Sequence, residues 1–378
     1  MNKFTKICAV ALAAFCAVGA AGCSSSSGSS SSLTSKWYVR TNYTGIQPSV
    51  AEYGEYEKLT YDISFQEDSG TNATYSVSYN SGHTMTKEFF ACEFDWSGST
   101  TPDGYLGGSF YIPEEYRSDS TDSTETVYCY TYSFEISGTY TYATGATADF
   151  TDKIESVCYF RSARNNLQPV YSYQYVNSTS PANYSPASPD DMYQEVEYEY
   201  YVSYNKDCTE ATTYYTQPAM SSVTPATIDL SGAGNLLFDN GSVYMVMRAM
   251  NITSSLSMDI DILIPAENGY STYNVTGADG VTLEDDTIRS ALVDAGYVTS
   301  LIDAKVIESE DDITYSAATL SYTGDLSGTS QTIWYATLSD DTDRNYCRST
   351  MLKIELPLSF GLGTLEFTLS DIESHFSV

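Results

Sequence analysis

Histidine is the side chain that most often transfers protons near neutral pH, and the chain has two, His83 and His375. His83 follows Ser81 and Gly82 in a predicted turn, and His375 stands near the C-terminus. The sequence contains no G-x-S-x-G, H-E-x-x-H or P-loop pattern, so the usual hydrolase, metalloprotease and nucleotide-binding mechanisms lack their residues. We therefore expect two solvated loop histidines and no enzymatic activity.

Carboxylates are abundant, with 49 Asp and Glu against 17 Lys and Arg. A facing pair of carboxylates could hydrolyse glycosides, so a carboxylate-based glycosidase is the enzymatic alternative. Two dense clusters carry the oxygen ligands that Ca²⁺ prefers, but neither has the spacing of an EF-hand loop. We expect solvated acidic loops, without a metal or another cofactor, at Glu308, Glu310, Asp311 and Asp312 and at Asp340, Asp341, Asp343 and Asn345.

The chain has 8 cysteines, of which Cys8 and Cys16 lie in an apolar N-terminal segment. The cysteines of the body are widely spaced and form no C-x-x-C pair, which argues against a zinc ribbon or a redox motif. We expect buried thiols with at most two disulfides, whose connectivity the spacing leaves open, among Cys92, Cys129, Cys158, Cys208 and Cys347.

The N-terminus has the organisation of an export signal. Lys3 and Lys6 precede an apolar run over residues 7–18, which is too short to span a bilayer as a mature helix. Small residues then lead to Cys23. An ordinary secretory signal, cleaved after an A-x-A-like site, is one interpretation of this segment.

The sequence Ala20-Ala21-Gly22-Cys23 resembles the lipobox of bacterial lipoproteins. The resemblance implies that the signal peptide, residues 1–22, is removed and that the Cys23 thiol carries a diacylglycerol, with fatty acids such as palmitate. Cys23 is then the lipidation site and holds the protein to a membrane outside the cytoplasm, in the cell envelope. Ser24 is not the aspartate that retains such proteins at the inner membrane, which permits the outer membrane if the cell has one.

Composition indicates a mainly β protein: 35 Tyr, 14 Phe and 3 Trp stand in a chain whose charged residues make up only 17%. Apolar and polar residues alternate with period two, which predicts antiparallel strands with one buried and one solvent-exposed face. The clearest stripes are Tyr128, Tyr130, Tyr132, Phe134 and Ile136; Val196, Tyr198, Tyr200, Val202 and Tyr204; and Leu256, Met258, Ile260, Ile262 and Ile264.

Turn residues and composition divide the mature chain into three parts. Residues 23–36 form a Ser-rich flexible tether, residues 37–220 a Tyr-rich antiparallel β domain, and residues 235–378 a second β-rich half. A helix near residues 283–295 has an apolar face, with Thr282 expected at its N-cap and Gly296 at its end. The fold expected is a long curved antiparallel sheet, or two β-rich halves, with one or two short helices.

The order of strand-rich segments resembles a family of uncharacterised exported bacterial proteins built on a long curved antiparallel sheet. The segments are residues 155–176, residues 236–250 and a final hairpin over residues 351–372. That family is in turn similar to the periplasmic lipoprotein carriers, whose half-barrel holds acyl chains. The resemblance implies a ligand-holding or surface role rather than catalysis, and it assigns no functional residues.

A net charge of −32 argues against nucleic acid as a partner, because phosphate would be repelled. The function expected is a membrane-anchored, non-catalytic binding or structural module. Its partners are the membrane, through the anchor at Cys23, and an apolar ligand, a glycan or an envelope protein. The alternative is a surface carbohydrate-binding protein that uses tyrosine platforms, with Trp37, Trp96 or Trp334 among its exposed rings.

Replacing Cys23 tests the proposed anchor. The Cys23→Ser chain lacks the thiol that accepts the diacylglycerol, so we expect it to lose its acyl mass and to leave the membrane fraction. Mass spectrometry of the purified protein and cell fractionation measure both effects, with Cys92→Ser as the control that keeps the anchor. A wild-type mature chain that begins elsewhere, or carries no acyl mass, would contradict the prediction.

Overall fold

The structure is a computed structural model of the 378-residue chain. It describes residues 56–67, 75–95, 124–142, 145–163, 166–178, 196–205, 209–216, 225–231, 237–239, 244, 252–283, 285–293, 296–303, 308–322, 330–338, 349–357 and 363–375. Cys23 and the tether over residues 23–36 lie outside these ranges.

Strands dominate the described chain. They are β1 (Tyr56–Gln66), β2 (Tyr75–Tyr79), β3 (Thr84–Asp95), β4 (Thr124–Tyr142), β5 (Thr147–Ala163), β6 (Asn166–Ser178), β7 (Val196–Tyr204), β8 (Glu210–Thr216), β9 (Ala226–Asp229), β10 (Leu237–Asp239), β11 (Ser257–Ile264), β12 (Gly269–Asp279), β13 (Ile313–Tyr322), β14 (Ser330–Leu338), β15 (Ser349–Pro357) and β16 (Thr364–His375). The helices are α1 (Asp286–Val293) and α2 (Tyr297–Asp303), with 3-10 turns at Pro265–Glu267 and Glu310–Asp312.

The described strands form one open sheet. Their order is β10-β11-β12-β13-β14-β15-β16-β1-β3-β4-β5-β6-β7-β8-β9, and β2 pairs separately with β4. All of these pairs are antiparallel except β10 with β11. The predicted fold class is therefore confirmed, and the chain adopts the first of its two alternatives, a single long sheet.

Strand β1 joins the early strands to the late ones. On one side it pairs with β3, and on the other it pairs with β16 along its whole length, from Tyr56 opposite His375 to Gln66 opposite Thr364. The predicted division into residues 37–220 and 235–378 stays a prediction, but strands from both parts share this sheet.

One face of the sheet, here called the inner face, carries the hydrophobic core. The described side chains of the predicted stripes on β4, β7 and β11 are buried there, as are inward residues of β1 and β16. Phe134 of β4 meets Phe367 of β16 edge-on, with ring centroids 5.5 Å apart. Because the described residues of this cluster come from strands along the whole sheet, the inner face bends around a shared core.

Contacts between distant strands show how far the sheet curves. The 3-10 turn Pro265–Glu267, which connects β11 to β12, contacts β7 and β8 near the opposite edge. Thr213 of β8 donates a hydrogen bond to Asn268 beside that turn, at 3.4 Å. The right-handed twist of antiparallel strands accumulates along a long sheet and favours such curling.

Polar groups also cross the inner face. Tyr244, which lies between β10 and β11, donates a hydrogen bond to Gln331 of β14 at 2.7 Å and packs edge-on against Tyr132 of β4. Gln174 of β6 donates to the Tyr132 hydroxyl at 2.8 Å. The Lys87 ammonium of β3 lies 4.2 Å from the centroid of the Tyr244 ring. A buried ammonium is stabilised by such aromatic faces, and the sequence alternation alone did not predict a lysine here.

The helices pack against β16, in the middle of the strand order. Helix α1 lies against β16 and buries Ile288, Ala291 and Leu292. Its first turn is capped by Asp285, which accepts the Thr287 N–H at 3.0 Å, rather than by the predicted Thr282. Gly296, at φ 79°, separates α1 from α2, a second short helix that the sequence pattern did not predict. Among the described residues, no helix has the length and apolar character needed to cross a membrane.

Truncating Phe367 tests how much the ring of this β16 residue contributes to the shared core. The ring is fully buried, so Phe367→Ala should lower the free energy of unfolding by about 3–5 kcal/mol. Thr368→Ala, on the opposite face of the same strand, is the matched control and should change it by less than about 0.5 kcal/mol. Urea denaturation followed by far-UV circular dichroism measures both, and equal effects would contradict the prediction.

Candidate functional site

The two histidines lie at strand connections. His83, between β2 and β3, is half-buried, and its Nε2 accepts the Ser137 N–H of β4 at 3.2 Å. His83 thus lies in the predicted loop but is only partly solvated, because its ring completes a backbone contact. His375 ends β16 opposite Tyr56.

The described acidic cluster is solvated. Glu308, Glu310 and Asp311 are exposed, and Asp312 accepts the backbone N–H groups of Glu308 and Ser309 at 2.8 and 3.0 Å. Its carboxylate thus caps a 3-10 turn. Within the described ranges, no group of three or more His, Cys, Asp and Glu could hold a metal ion. The second cluster, over residues 340–345, lies outside those ranges.

The two cysteines whose side chains are described, Cys129 and Cys158, are both buried. Cys158 belongs to the inner core, whereas Cys129 belongs to a separate cluster on the outer face. Only the backbone of Cys92 is described, in β3, and Cys208 and Cys347, like Cys23, lie outside the described residues.

Side chains on the outer face of β4 to β6 are more buried than the alternation predicted. Cys129 and Thr131 stand on the face expected to meet solvent, yet both are buried. Cys129 packs in a second hydrophobic cluster with Val157, Tyr159 and Tyr171. The prediction of one buried and one solvent-exposed face was wrong here, because both faces of these strands carry large apolar side chains.

Beyond this cluster, the outer face of β5 to β7 is half-exposed and consists of tyrosines and glutamates. We call it the tyrosine–glutamate surface, and its six residues, all partly exposed, are Glu155, Tyr173, Tyr175, Glu197, Glu199 and Tyr201. Because side chains alternate along a strand, these six residues lie on the other face of the sheet from Gln174 of β6 and Tyr200 of β7, which point inward and are buried.

Strand register sets the geometry of the tyrosine–glutamate surface. Tyr173 stands opposite Tyr201, and their ring centroids are 4.9 Å apart. The Tyr173 hydroxyl donates to Glu199 at 3.4 Å, and the Tyr175 hydroxyl donates to Glu197 at 3.0 Å. The phenols thus hold two carboxylates beside a continuous aromatic surface.

One lysine lies at the edge of this surface. Lys153 of β5 pairs with Glu155 at 2.8 Å, and its ammonium stands 5.9 Å from the centroid of the Tyr175 ring. The hydrogen bond that the Lys153 ammonium donates to Glu155 is the largest cause of the raised pKa of Lys153, which keeps the ammonium charged. A cation is therefore held here by a carboxylate and an aromatic ring together.

Burial and negative charge both keep the phenols protonated. Burial raises the pKa of Tyr173 and of Tyr201, and the neighbouring Glu199 carboxylate raises both further. Burial is also the largest cause of the raised pKa of Tyr175. Because the tyrosines remain neutral donors, the net charge of the tyrosine–glutamate surface comes from its carboxylates.

Because the predicted stripe of β7 turns Tyr198 and Tyr200 inward, the alternation also predicts that Glu197 and Glu199 point outward. It does not show which tyrosines join them. Tyr173 and Tyr175 precede β7 by a connection that is outside the described residues, and their position beside Glu197 and Glu199 follows from strand register. Of the three tryptophans, only Trp334 is described. It is half-buried on β14, with the Lys353 ammonium 5.6 Å from its ring centroid.

Comparison with known proteins gives a distant structural likeness. No family model and no curated protein matches the chain. The fold is similar to that of a β-barrel-like protein of domain of unknown function DUF1849 from Brucella abortus, at 8% sequence identity and a TM-score of 0.41, covering 86% of this chain and 100% of that chain. Such a distant likeness carries no argument about function.

The raised phenol pKa values predict a loss of stability in alkali. Stabilisation from a group whose pKa is raised by folding is complete below its unfolded value, about 10, and is lost as the pH rises through the folded value. Tyr201→Phe removes one such phenol. Above pH ~10, the free energy of unfolding of this variant should therefore fall less steeply than that of the wild-type protein. The two slopes should differ by a fraction of the ~1.4 kcal/mol per pH unit that one proton gives, since Tyr201 is partly exposed.

Urea midpoints measured between pH ~9 and ~12 follow this effect. Tyr270→Phe, which removes an exposed phenol on β12, is the matched control. If Tyr201→Phe and the wild-type protein lose stability equally with rising pH, the phenol of Tyr201 does not contribute as described.

Proposed function

We propose that the protein is a membrane-anchored, non-catalytic binding module of the cell envelope, held by acyl chains on Cys23, and that it meets its partner through the tyrosine–glutamate surface. The observation that carries the proposal is an array of partly exposed tyrosines supported by buried neighbours on the outer face. Tyrosine is favoured at interfaces because it combines a large apolar ring with a hydroxyl that remains hydrated.

The outer face is the more accessible of the two faces. The described inner side chains are buried against one another, including the polar Lys87, Gln174 and Gln331. A side chain in that position has almost no surface with which to meet a partner from solution. The apolar-ligand version of the proposal therefore requires the inner core to open, and lipid extraction of the purified protein tests it directly.

A glycan is the second candidate partner. The paired rings of Tyr173 and Tyr201 favour it, because an aromatic face can stack on a sugar ring while nearby carboxylates accept its hydroxyl protons. Trp334 gives this version less support, since Lys353 lies over its ring.

We propose binding without turnover. A glycosidase needs two carboxyl groups that flank the scissile bond. Glu197 and Glu199 lie side by side on one strand, and each accepts a tyrosine hydrogen bond. They are therefore arranged along a surface rather than across a cleft.

Site-specific photocrosslinking in intact cells tests the proposal. With Tyr175 replaced by p-benzoylphenylalanine in the full lipidated chain, irradiation should yield a discrete adduct in the membrane fraction. The same replacement at Tyr270, exposed on β12, is the control and should yield none. An adduct at both positions, or at neither, would contradict the assignment of the contact surface.

A further inference from the structure

We propose that the partner recognised by the tyrosine–glutamate surface is cationic, namely an extended peptide segment bearing Lys or Arg. This inference rests on the proposed function and names the chemistry of the contact. Its basis is the combination of aromatic rings, carboxylates and one internal lysine already bound in the same manner.

Charge complementarity supports a cation. Glu197 and Glu199 accept hydrogen bonds from Tyr175 and Tyr173, and in the described part of the chain neither pairs with a lysine or an arginine. Among the described side chains on the outer face of β4 to β7, Lys153 is the only base, and it is already paired with Glu155. The surface therefore carries a surplus of negative charge beside aromatic faces, and both attract cations.

Lys153 shows within the same molecule how a cation is accommodated. Its ammonium binds Glu155 and lies near the ring of Tyr175, while its side chain stays 40% exposed. Lys353 is also held by carboxylates and an aromatic ring: its ammonium lies between Glu355 and Glu366 and near the Trp334 ring. A partner's Lys or Arg above Glu199 and Tyr201 would make the same pair of contacts.

The strand arrangement favours an extended partner with alternating cations. Glu197 and Glu199 stand two residues apart on one face of β7, which separates them by about 7 Å. Every second side chain of an extended peptide has the same spacing. A peptide of alternating Lys and Thr can therefore bring one ammonium to each carboxylate.

Fluorescence anisotropy with the full lipidated protein in non-ionic detergent tests the inference. The probes are a labelled alternating Lys-Thr peptide, the matching Glu-Thr peptide and a neutral glucan oligosaccharide. We expect only the Lys-Thr peptide to bind, with an affinity that falls as salt is raised from about 50 to 200 mM. The double variant Glu197→Gln/Glu199→Gln should weaken it by about tenfold.

Matched variants separate a local contact from attraction by overall charge. Glu308→Gln/Asp311→Asn removes the same charge from an exposed turn and should change the affinity less than about twofold. Tyr201→Ala should weaken binding, whereas Tyr201→Phe, which keeps the ring face, should retain it. The inference would be overturned if the two double variants weakened binding equally, or if binding did not change in Tyr201→Ala.

The other outcomes distinguish this inference from the proposed function. Oligosaccharide binding that depends on Tyr201, without peptide binding, would overturn the cationic partner and leave the surface as the binding site. Binding of no probe, together with the expected crosslink at Tyr175, would overturn only the cationic partner. The loss of that crosslink as well would overturn both.

Discussion

Strand β1 lies between β3 and β16, so hydrogen bonds between the beginning and the end of the described chain hold the two sets of strands in one sheet. Without that ladder, β3 to β9 and β10 to β16 would each expose an edge and part of an apolar face. The core depends on it as well, because Phe134 and Phe367 meet across this junction. Contacts so far apart in sequence carry a large loop-closure cost, which burial of a shared core must offset.

Tyrosine fills much of that core, and its hydroxyl groups impose a further requirement. A buried hydroxyl needs a partner, so the large rings bring hydrogen bonds into the interior. Tyr61 donates to the Met351 carbonyl at 2.8 Å, and Tyr244 donates to Gln331. The interior therefore combines apolar packing with specific polar contacts, which fix the positions of strands that are distant in the sheet.

On the outer face, tyrosine forms a partly exposed surface instead of a core. There Tyr173, Tyr175 and Tyr201 are only partly buried, and the hydroxyls of Tyr173 and Tyr175 donate hydrogen bonds to Glu199 and Glu197. At one end, Tyr173 and Tyr201 pack against the buried cluster that contains Tyr171 and Val157 on the same face, while Tyr175 at the other end stays partly exposed. A rigid aromatic surface loses little conformational entropy on binding, which is why the proposed contact is placed there.

By itself, the sequence determined the β class, the alternation that buries the stripes of β4, β7 and β11, and the outward direction of Glu197 and Glu199, because side-chain direction in a strand has period two. It also determined the lipobox resemblance at Cys23. Only the tertiary structure decided that β1 pairs with β16, that Lys87 lies among aromatic rings, and that Tyr173 stands opposite Tyr201. Alternation fixes the face of a residue but not its neighbour on the next strand, and that neighbour depends on register and on connections far apart in the chain.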